Sequence, residues 1–167
     1  MKNVVIIGMP GSGKTTFGSA LAERLGRRFI DADAYIEARE QKKISELFAI
    51  SENCFREAET RAIKELAKQD GIVIATGGGV IKRPVNIEVL KKTGIIIFLD
   101  RTPDDIAGDV EISTRPLLAA GKQKIYDLYE ERITAYCASA DFQLPNHSSI
   151  PRVLDMLEKL VGKALLK

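Results

Sequence analysis

A glycine-rich stretch near the start of the chain has the residue types that hold a phosphate chain. "GMPGSGKT", Gly8 to Thr15, fits the pattern G-x-x-x-x-G-K-[ST] between an apolar run and a helical pattern. Its glycines let backbone N–H groups turn inward, and the start of the following helix adds partial positive charge. The stretch predicts a nucleotide-binding loop; the alternative is a plain glycine-rich turn with a solvent-exposed lysine.

The end of this loop supplies the expected nucleotide and metal contacts. Lys14 can reach the β- and γ-phosphates, and Thr15 can offer its hydroxyl to Mg²⁺. We assign nucleotide contacts to six consecutive residues, namely Gly11, Ser12, Gly13, Lys14, Thr15 and Thr16. The sequence has no N-K-x-D segment for reading a guanine base and little room for the accessory domain of a motor. Transfer of phosphate to a small molecule is therefore the simplest prediction.

Two aspartates, Asp31 and Asp33, end a second apolar run in "RFIDADAYIE". A kinase with this loop needs an acidic group near the metal and another that orients or deprotonates the acceptor hydroxyl. Residues two apart that leave a strand point to the same side, so both carboxylates are predicted to face the ligand crevice. The alternative is that Asp33 only caps the following helix.

Three consecutive glycines, Gly77 to Gly79, end a third apolar run in "IATGGGV". Glycines allow the backbone to approach a ligand closely and to aim N–H groups at it. The segment predicts a ligand contact, and a plain strand-ending turn is the alternative.

Apolar runs alternate with helical patterns and predict the elements that position these residues. Strands are expected at 3–8, 28–31, 71–76, 94–100 and 141–144, and helices at 14–26, 33–40, 44–49, 52–69, 84–92, 103–108, 123–138 and 150–163. Continuous apolarity indicates strands covered on both faces, so an α/β fold with a parallel sheet follows. Residues 108–122 lack clear periodicity and predict a mobile loop.

Composition is that of an ordinary globular protein. The chain has 167 residues, 45% of them apolar, and a formal net charge of +2, which fits a single domain. Its apolar runs are too short for a membrane span, and the run after Lys2 is too short for a signal-peptide core, so we expect a cytoplasmic protein. Cys54, Cys137 and His147 lack metal-ligand spacing and receive no chemical role.

Seven short pieces of the sequence together resemble the shikimate kinase family. They are the loop with "KTT", "DAD" followed by "IE", then "ISELF", "FREAE", "TGGG", "RPLL" and "RITAY", in the family's order. The resemblance implies phosphorylation of the 3-hydroxyl of shikimate with ATP and Mg²⁺, a step on the chorismate route to aromatic amino acids. It also implies one domain over 1–167 with a three-layer α/β/α P-loop kinase fold, in which helices flank a five-stranded parallel sheet. A substrate-binding helical segment is implied at about 33–60 and a mobile lid at about 108–122.

The resemblance also assigns roles on the acceptor side. Asp33 resembles the aspartate that contacts the shikimate hydroxyl and is the candidate base, and Asp31 resembles the one that supports the Mg²⁺ shell. Arg56 and Arg132 resemble the arginines that hold the substrate carboxylate, for which their planar forks are suited. Without the family, two surface arginines remain the alternative. Glu59, three residues after Arg56, is expected to orient that arginine.

The remaining implied contacts involve the glycines and the lid. Gly77, Gly78 and Gly79 resemble the segment beneath shikimate and near the γ-phosphate, and Arg115 in "RPLL" resembles a catalytic, ATP-contacting lid arginine, acting with Lys14. The expected ligands are ATP, Mg²⁺ and shikimate, with no nucleic acid or membrane partner and a monomeric state. Alternatives are another small-metabolite kinase, such as a gluconate kinase, or a nucleotide-binding regulatory protein without turnover.

Three stretches depart from the family pattern. Ser51-Glu52 replaces the usual glycine-glutamate pair, which we expect to alter a turn without touching the chemistry. The lid segment "AGDVEIST" is acidic and lacks the usual basic residues, which predicts weaker ATP affinity or lid closure. "QLPNHSS" replaces an adenine-contacting stretch, so Asn146 is the remaining candidate there and Pro145 departs most from the pattern.

Overall fold

The computed structural model describes residues 1–110 and 121–166 of the chain. Most of the segment predicted to be a lid, including Arg115, lies outside these described residues. The expectations for that segment therefore stay predictions from the sequence.

Five parallel strands form one sheet with the order β2-β3-β1-β4-β5. The strands are β1 (Asn3–Ile7), β2 (Phe29–Asp31), β3 (Val73–Ala75), β4 (Gly94–Asp100) and β5 (Phe142–Pro145). The central strand β1 pairs Val5 with Ile74 of β3 and with Ile96 of β4. This confirms the predicted five-stranded parallel sheet.

Helices cover both faces of the sheet. They are α1 (Lys14–Leu25), α2 (Ala32–Glu40), α3 (Ile44–Ile50), α4 (Glu52–Leu66), α5 (Pro84–Thr93), α6 (Pro103–Val110), α7 (Lys122–Ser139) and α8 (Ile150–Leu165), with a 3₁₀ turn at Val80–Lys82. None of the helices in the described ranges has the length and apolarity needed to cross a membrane.

The hydrophobic cores on the two faces of the sheet follow from the alternation of side chains along β1. Val4 and Ile6 point to one face and join the core formed with α1 and α8. Val5 and Ile7 point to the other face and join the core formed with α4, α5, α6 and α7. Apolar residues on both faces are required because both faces are covered, which explains the continuous rather than alternating apolar run.

The residues singled out in the sequence follow the carboxyl ends of three neighbouring strands. The glycine loop follows β1 at Ile7, Asp31 ends β2 with Asp33 just after it, and the three glycines come shortly after β3. Because the strands are parallel and adjacent, their carboxyl ends meet at one edge of the sheet, where open α/β sheets bind ligands.

Candidate active site

The loop between β1 and α1 has the shape of a phosphate cradle. Gly8 has a φ of 154°, and a Cβ at this position would lie 2.6 Å from the carbonyl oxygen of Leu99, so a side chain does not fit. The Lys14 ammonium is buried and donates to the carbonyls of Gly8 and Met9, both at 2.8 Å. A plain turn with a solvent-exposed lysine is therefore the wrong interpretation.

The cradle also contains hydrogen-bonding groups that the contacts within the loop do not satisfy. Ser12 is fully buried, and its hydroxyl has no hydrogen-bond partner among the described residues. The first N–H groups of α1 lie beside it and need acceptors, as at every helix start. An oxyanion-rich ligand such as a nucleotide phosphate chain supplies acceptors for both.

Thr15 and Asp31 are in direct contact at the edge of this cradle. The Thr15 hydroxyl donates to Asp31 Oδ2 at 2.7 Å. Hydroxyl and carboxylate oxygens are ligands that Mg²⁺ accepts together with phosphate oxygens and waters. In the described part of the chain no group of three or more His, Cys, Asp or Glu side chains could hold a metal by itself. A Mg²⁺ site shared between this pair and bound phosphates fits that pattern.

Asp31, not Asp33, caps helix α2. Asp31 has extended backbone angles, and its Oδ1 accepts from the backbone N–H of Ala34 at 3.0 Å. The alternative in which Asp33 is the cap is wrong, because the helix begins at Ala32 and Asp33 lies in its first turn. Strand alternation therefore does not describe the orientation of Asp33, because β2 ends at Asp31 and Asp33 already lies in the first turn of α2.

Asp33 nevertheless faces the glycine segment. A Cβ on Gly77 would lie 2.8 Å from Asp33 Oδ1 and 3.3 Å from Glu59 Oε2, so the glycine leaves room for two carboxylates. Burial raises the pKa of Asp33, and the negative charge of Asp31 raises this pKa further. The positive charges of Lys14 and Arg56 oppose both effects. Asp33 thus shares one cleft with the residues of the phosphate cradle.

Arg56 and Glu59 form a buried pair on α4. Arg56 is 8% exposed, and its Nη1 donates to Glu59 Oε1 at 2.8 Å, which is the contact expected from the sequence. The guanidinium carbon of Arg56 lies 5.0 Å from the ring centre of Phe55. Burial raises the pKa of Glu59, and the contact with Arg56 opposes that rise. The pair is rigidly held because packing and an ion pair act on the same side chain.

The three glycines lie directly against both arginines. A Cβ on Gly79 would lie 2.4 Å from both terminal nitrogens of Arg56, and a Cβ on Gly78 would lie 3.1 Å from Arg132 Nη1. Arg132 is 9% exposed, so the alternative of two surface arginines is wrong. The Nε atoms of both arginines are buried and have no hydrogen-bond partner among the described residues. Two guanidinium groups whose terminal nitrogens lie against one glycine segment suit a carboxylate or phosphate ligand.

Tyr136 is a site residue that the sequence analysis missed. Its hydroxyl donates to the carbonyl of Gly78 at 2.6 Å, and its ring stacks on Phe98 with ring centres 5.0 Å apart. The sequence feature that could have identified Tyr136 is its position in "RITAY", one helical turn after Arg132 and so on the same face of the helix. Tyr136 therefore fixes the glycine segment from the same helix, α7, that carries Arg132.

Asn146 lies beside the phosphate cradle, on the side away from the arginines. Its Nδ2 donates to the carbonyl of Ser12 at 2.8 Å, so the amide supports the loop. It also lines an open cavity of about 500 Å³ together with Gly13 and Thr16. Pro145 ends β5 directly before it, where its missing N–H costs nothing because β5 is an edge strand.

Five further polar residues line this cavity without having been predicted, namely Arg101, Asp105, Asp109, His147 and Ser148. Arg101 donates to the carbonyl of Gly11 at 3.0 Å and pairs with Asp109. The Nδ1 atom of His147 lies 2.7 Å from Asp105 Oδ2, although no chemical role was expected for this histidine from its sequence context. These residues come from helix α6 and from the β4–α6 and β5–α8 connections, and only the fold brings them to the nucleotide loop.

Ser51, which was expected only to alter a turn, is the N-cap of helix α4. Its Oγ accepts from the backbone N–H of Cys54 at 2.9 Å, which satisfies one of the free donors at the start of α4. Because α4 carries Arg56 and Glu59, this cap stabilises the helix that holds the buried ion pair.

Comparison with known proteins gives a consistent result over nearly the whole chain. A family model described as "Shikimate kinase" matches residues 10–162. The shikimate kinase of Clostridium beijerinckii is 47% identical over 162 residues, covering 96% of this chain and 96% of that protein. The corresponding protein of Clostridium botulinum (strain Alaska E43 / Type E3) is 45% identical, covering 96% and 98%.

A solved structure agrees with these sequence matches. The shikimate kinase from Acinetobacter baumannii in complex with shikimate superposes with a TM-score of 0.88 at 33% identity, covering 99% of this chain and 93% of that one. Family model, relatives and fold therefore agree, and this chain belongs to the shikimate kinase family.

Proposed function

We propose that this chain transfers the γ-phosphoryl group of ATP to the 3-hydroxyl of shikimate, giving shikimate 3-phosphate and ADP. The observation that carries the proposal is the position of Gly78. A Cβ there would lie 2.8 Å from Pro10 of the phosphate cradle and 3.1 Å from Arg132. Donor loop and paired arginines are thus two walls of one cleft, as transfer between bound substrates requires.

On the donor side, the chain supplies positive charge to the phosphates. The loop N–H groups, the N-terminus of α1 and Lys14 stabilise the charge that spreads over the phosphate oxygens during transfer. Thr15 and Asp31 are the residues that would hold Mg²⁺, which supplies further neutralisation of phosphate charge when bound. Asn146 holds the loop from behind through Ser12.

On the acceptor side, the chain positions a hydroxyl acid. Arg56 and Arg132 bind the substrate carboxylate through their forks of donors, and Glu59 keeps Arg56 in place. Asp33 accepts the proton of the 3-hydroxyl while the hydroxyl oxygen attacks the γ-phosphorus of ATP and ADP leaves. A raised pKa makes Asp33 a stronger base than an ordinary aspartate, because proton transfer to it is more favourable.

Further parts of the proposal rest on the sequence and its resemblance to the family, not on contacts of the described residues. Arg115 brings a further cation to the phosphates from a lid at about 108–122, and the segment at about 33–60 serves as the substrate-binding part of a single domain. The protein acts as a monomer in the cytoplasm, where ATP is available.

A panel of acceptors tests the proposal. In a coupled assay of ADP release with ATP and Mg²⁺, we expect turnover with shikimate and none with gluconate, AMP or CMP. Paired arginines beside two carboxylates suit a polyhydroxy carboxylate, but arginines also bind phosphate, so this comparison discriminates. Turnover with AMP, CMP or gluconate but not with shikimate would contradict the proposal, and nucleotide binding without any turnover would favour a regulatory protein.

Arg56→Lys is expected to raise the KM for shikimate by about tenfold or more while the KM for ATP stays within about twofold. Lysine keeps the charge but loses the planar fork and its stacking on Phe55, and a lost charge-assisted hydrogen bond costs about 1.5–3 kcal/mol. Steady-state kinetics with each substrate varied separately measure both constants. Arg61→Lys, on the exposed face of the same helix, is the matched control. An unchanged KM for shikimate in Arg56→Lys would place Arg56 outside the binding site.

A further inference from the structure

Glu52, the first residue of α4, lies between two cations. Its Oε1 atom is 2.8 Å from Lys82 Nζ and 3.7 Å from Arg56 Nε. The Arg56 Nε–H group is buried and has no hydrogen-bond partner among the described residues. One carboxylate oxygen therefore bonds the lysine and stops just short of the arginine that faces the cleft.

The two carboxylates beside Arg56 are not equivalent. Glu59 forms a direct hydrogen bond with Nη1 and leaves the rest of the guanidinium available. Glu52 is already within ion-pair distance of Nε, at 3.7 Å, but a movement of about 0.8 Å would bring its oxygen to the usual hydrogen-bond distance of ~2.9 Å. A direct hydrogen bond from Nε to this second carboxylate would further reduce the positive charge that Arg56 offers to an acidic substrate.

Lys82 is well placed to prevent that movement. It ends the 3₁₀ turn that directly follows the glycine segment, and its N–H donates to the carbonyl of Gly79 at 3.0 Å. The adjacent Arg83 donates to Asn53, so the turn contacts the first residues of α4 twice. The contact with Lys82 is also the main reason why the pKa of Glu52 lies below its usual range, and the charge of Arg56 contributes less.

We propose that Lys82 is a positioning residue that holds Glu52 away from Arg56 Nε and so keeps the Arg56 guanidinium available to the substrate carboxylate. This inference rests on the proposed function for its effect on catalysis. Its structural core, the competition of Lys82 and Arg56 for one oxygen of Glu52, does not depend on which acid is the substrate.

A mutant cycle in the full-length protein tests the inference by kinetics. Lys82→Gln is expected to raise the KM for shikimate about three- to tenfold, with kcat and the KM for ATP within about twofold of wild type. Glu52→Gln alone is expected to leave the KM for shikimate unchanged or lower. The double variant is expected to return to within about twofold of wild type, because the competing carboxylate is gone. Lys64→Gln, an exposed lysine on α4, controls for the loss of one charge.

A second readout needs no substrate. In ¹H–¹⁵N spectra, the Arg56 Nε–H signal is expected to move downfield and to exchange more slowly with water in Lys82→Gln than in wild type. In the double variant it is expected to resemble wild type. A protein that shows these changes but fails to phosphorylate shikimate would contradict the proposed function and support the competition for Glu52.

Several results would overturn the inference. An unchanged KM and an unchanged Nε–H signal in Lys82→Gln would show that Glu52 does not move. A double variant as impaired as Lys82→Gln would show that Lys82 acts on the substrate directly. A higher KM in Glu52→Gln would show that Glu52 supports Arg56 rather than competing with the substrate.

Discussion

Replacing Asp33 by asparagine is expected to lower kcat by about 10²–10⁴-fold, the usual contribution of a general base, while the KM for ATP changes little. Asparagine has nearly the same size but cannot accept the hydroxyl proton. The cap of α2 is unaffected because Asp31 provides it. Steady-state kinetics with ATP and shikimate measure the effect, and Glu46→Gln on the exposed surface of α3 controls for the loss of one carboxylate. A decrease in kcat of less than about tenfold would remove Asp33 from the mechanism.

The same variant is expected to be more stable than wild type at neutral pH. The pKa of Asp33 is raised in the folded protein, so the folded state binds its proton more tightly than the unfolded state does. The contribution of Asp33 to the stability of the fold is therefore fully present below the ordinary pKa of an aspartate. It is lost as the pH rises through the raised pKa of the folded protein. Thermal unfolding should show a higher Tm for Asp33→Asn at pH 7 and a smaller difference as pH falls toward about 4. A lower Tm at pH 7 would mean that the positive charges of Lys14 and Arg56 lower the pKa of Asp33 by more than burial raises it.

Lys14→Met is expected to lower kcat by about 10²–10³-fold, because removing a single preorganised charge at the reacting group has effects of this size. Methionine keeps much of the length of the buried side chain but loses the ammonium that donates to Gly8 and Met9. The KM for shikimate should change less than kcat, because the arginines on the other wall bind that substrate. Kinetics and thermal unfolding are measured together to separate loss of charge from loss of loop shape.

Lys64→Met is the matched control for that variant, since Lys64 is exposed on α4. If Lys14→Met retained kcat within about tenfold while its Tm matched wild type, Lys14 would only shape the loop through its two carbonyl contacts.

The features that local sequence determines could be predicted from the sequence. Strands β1 and β4 and helices such as α1 begin and end within about two residues of their expected positions. In each case apolar continuity, a glycine stop or a proline at a helix start sets the boundary through nearby residues alone. The nucleotide loop belongs to the same class, because its conformation depends on consecutive glycines and on the helix that follows.

Features that depend on distant contacts could not be predicted. The roles of Tyr136 and Arg101 arise from hydrogen bonds to Gly78 and Gly11, which are 58 and 90 residues away in the chain. The strand order had no local signal either. Asp33 was predicted to face the cleft for an incorrect reason: the start of a helix, not the pleat of a strand, sets its direction.

The proposed reaction requires the phosphate cradle and the paired arginines to act on two substrates in one cleft. The most direct test is ³¹P NMR of the products after incubation of the protein with ATP, Mg²⁺ and shikimate. One new phosphomonoester is expected, on the 3-hydroxyl of shikimate, formed in equal amount to ADP and nearly absent with Asp33→Asn. Inorganic phosphate as the main product, or phosphorylation of a different hydroxyl, would contradict the proposed reaction.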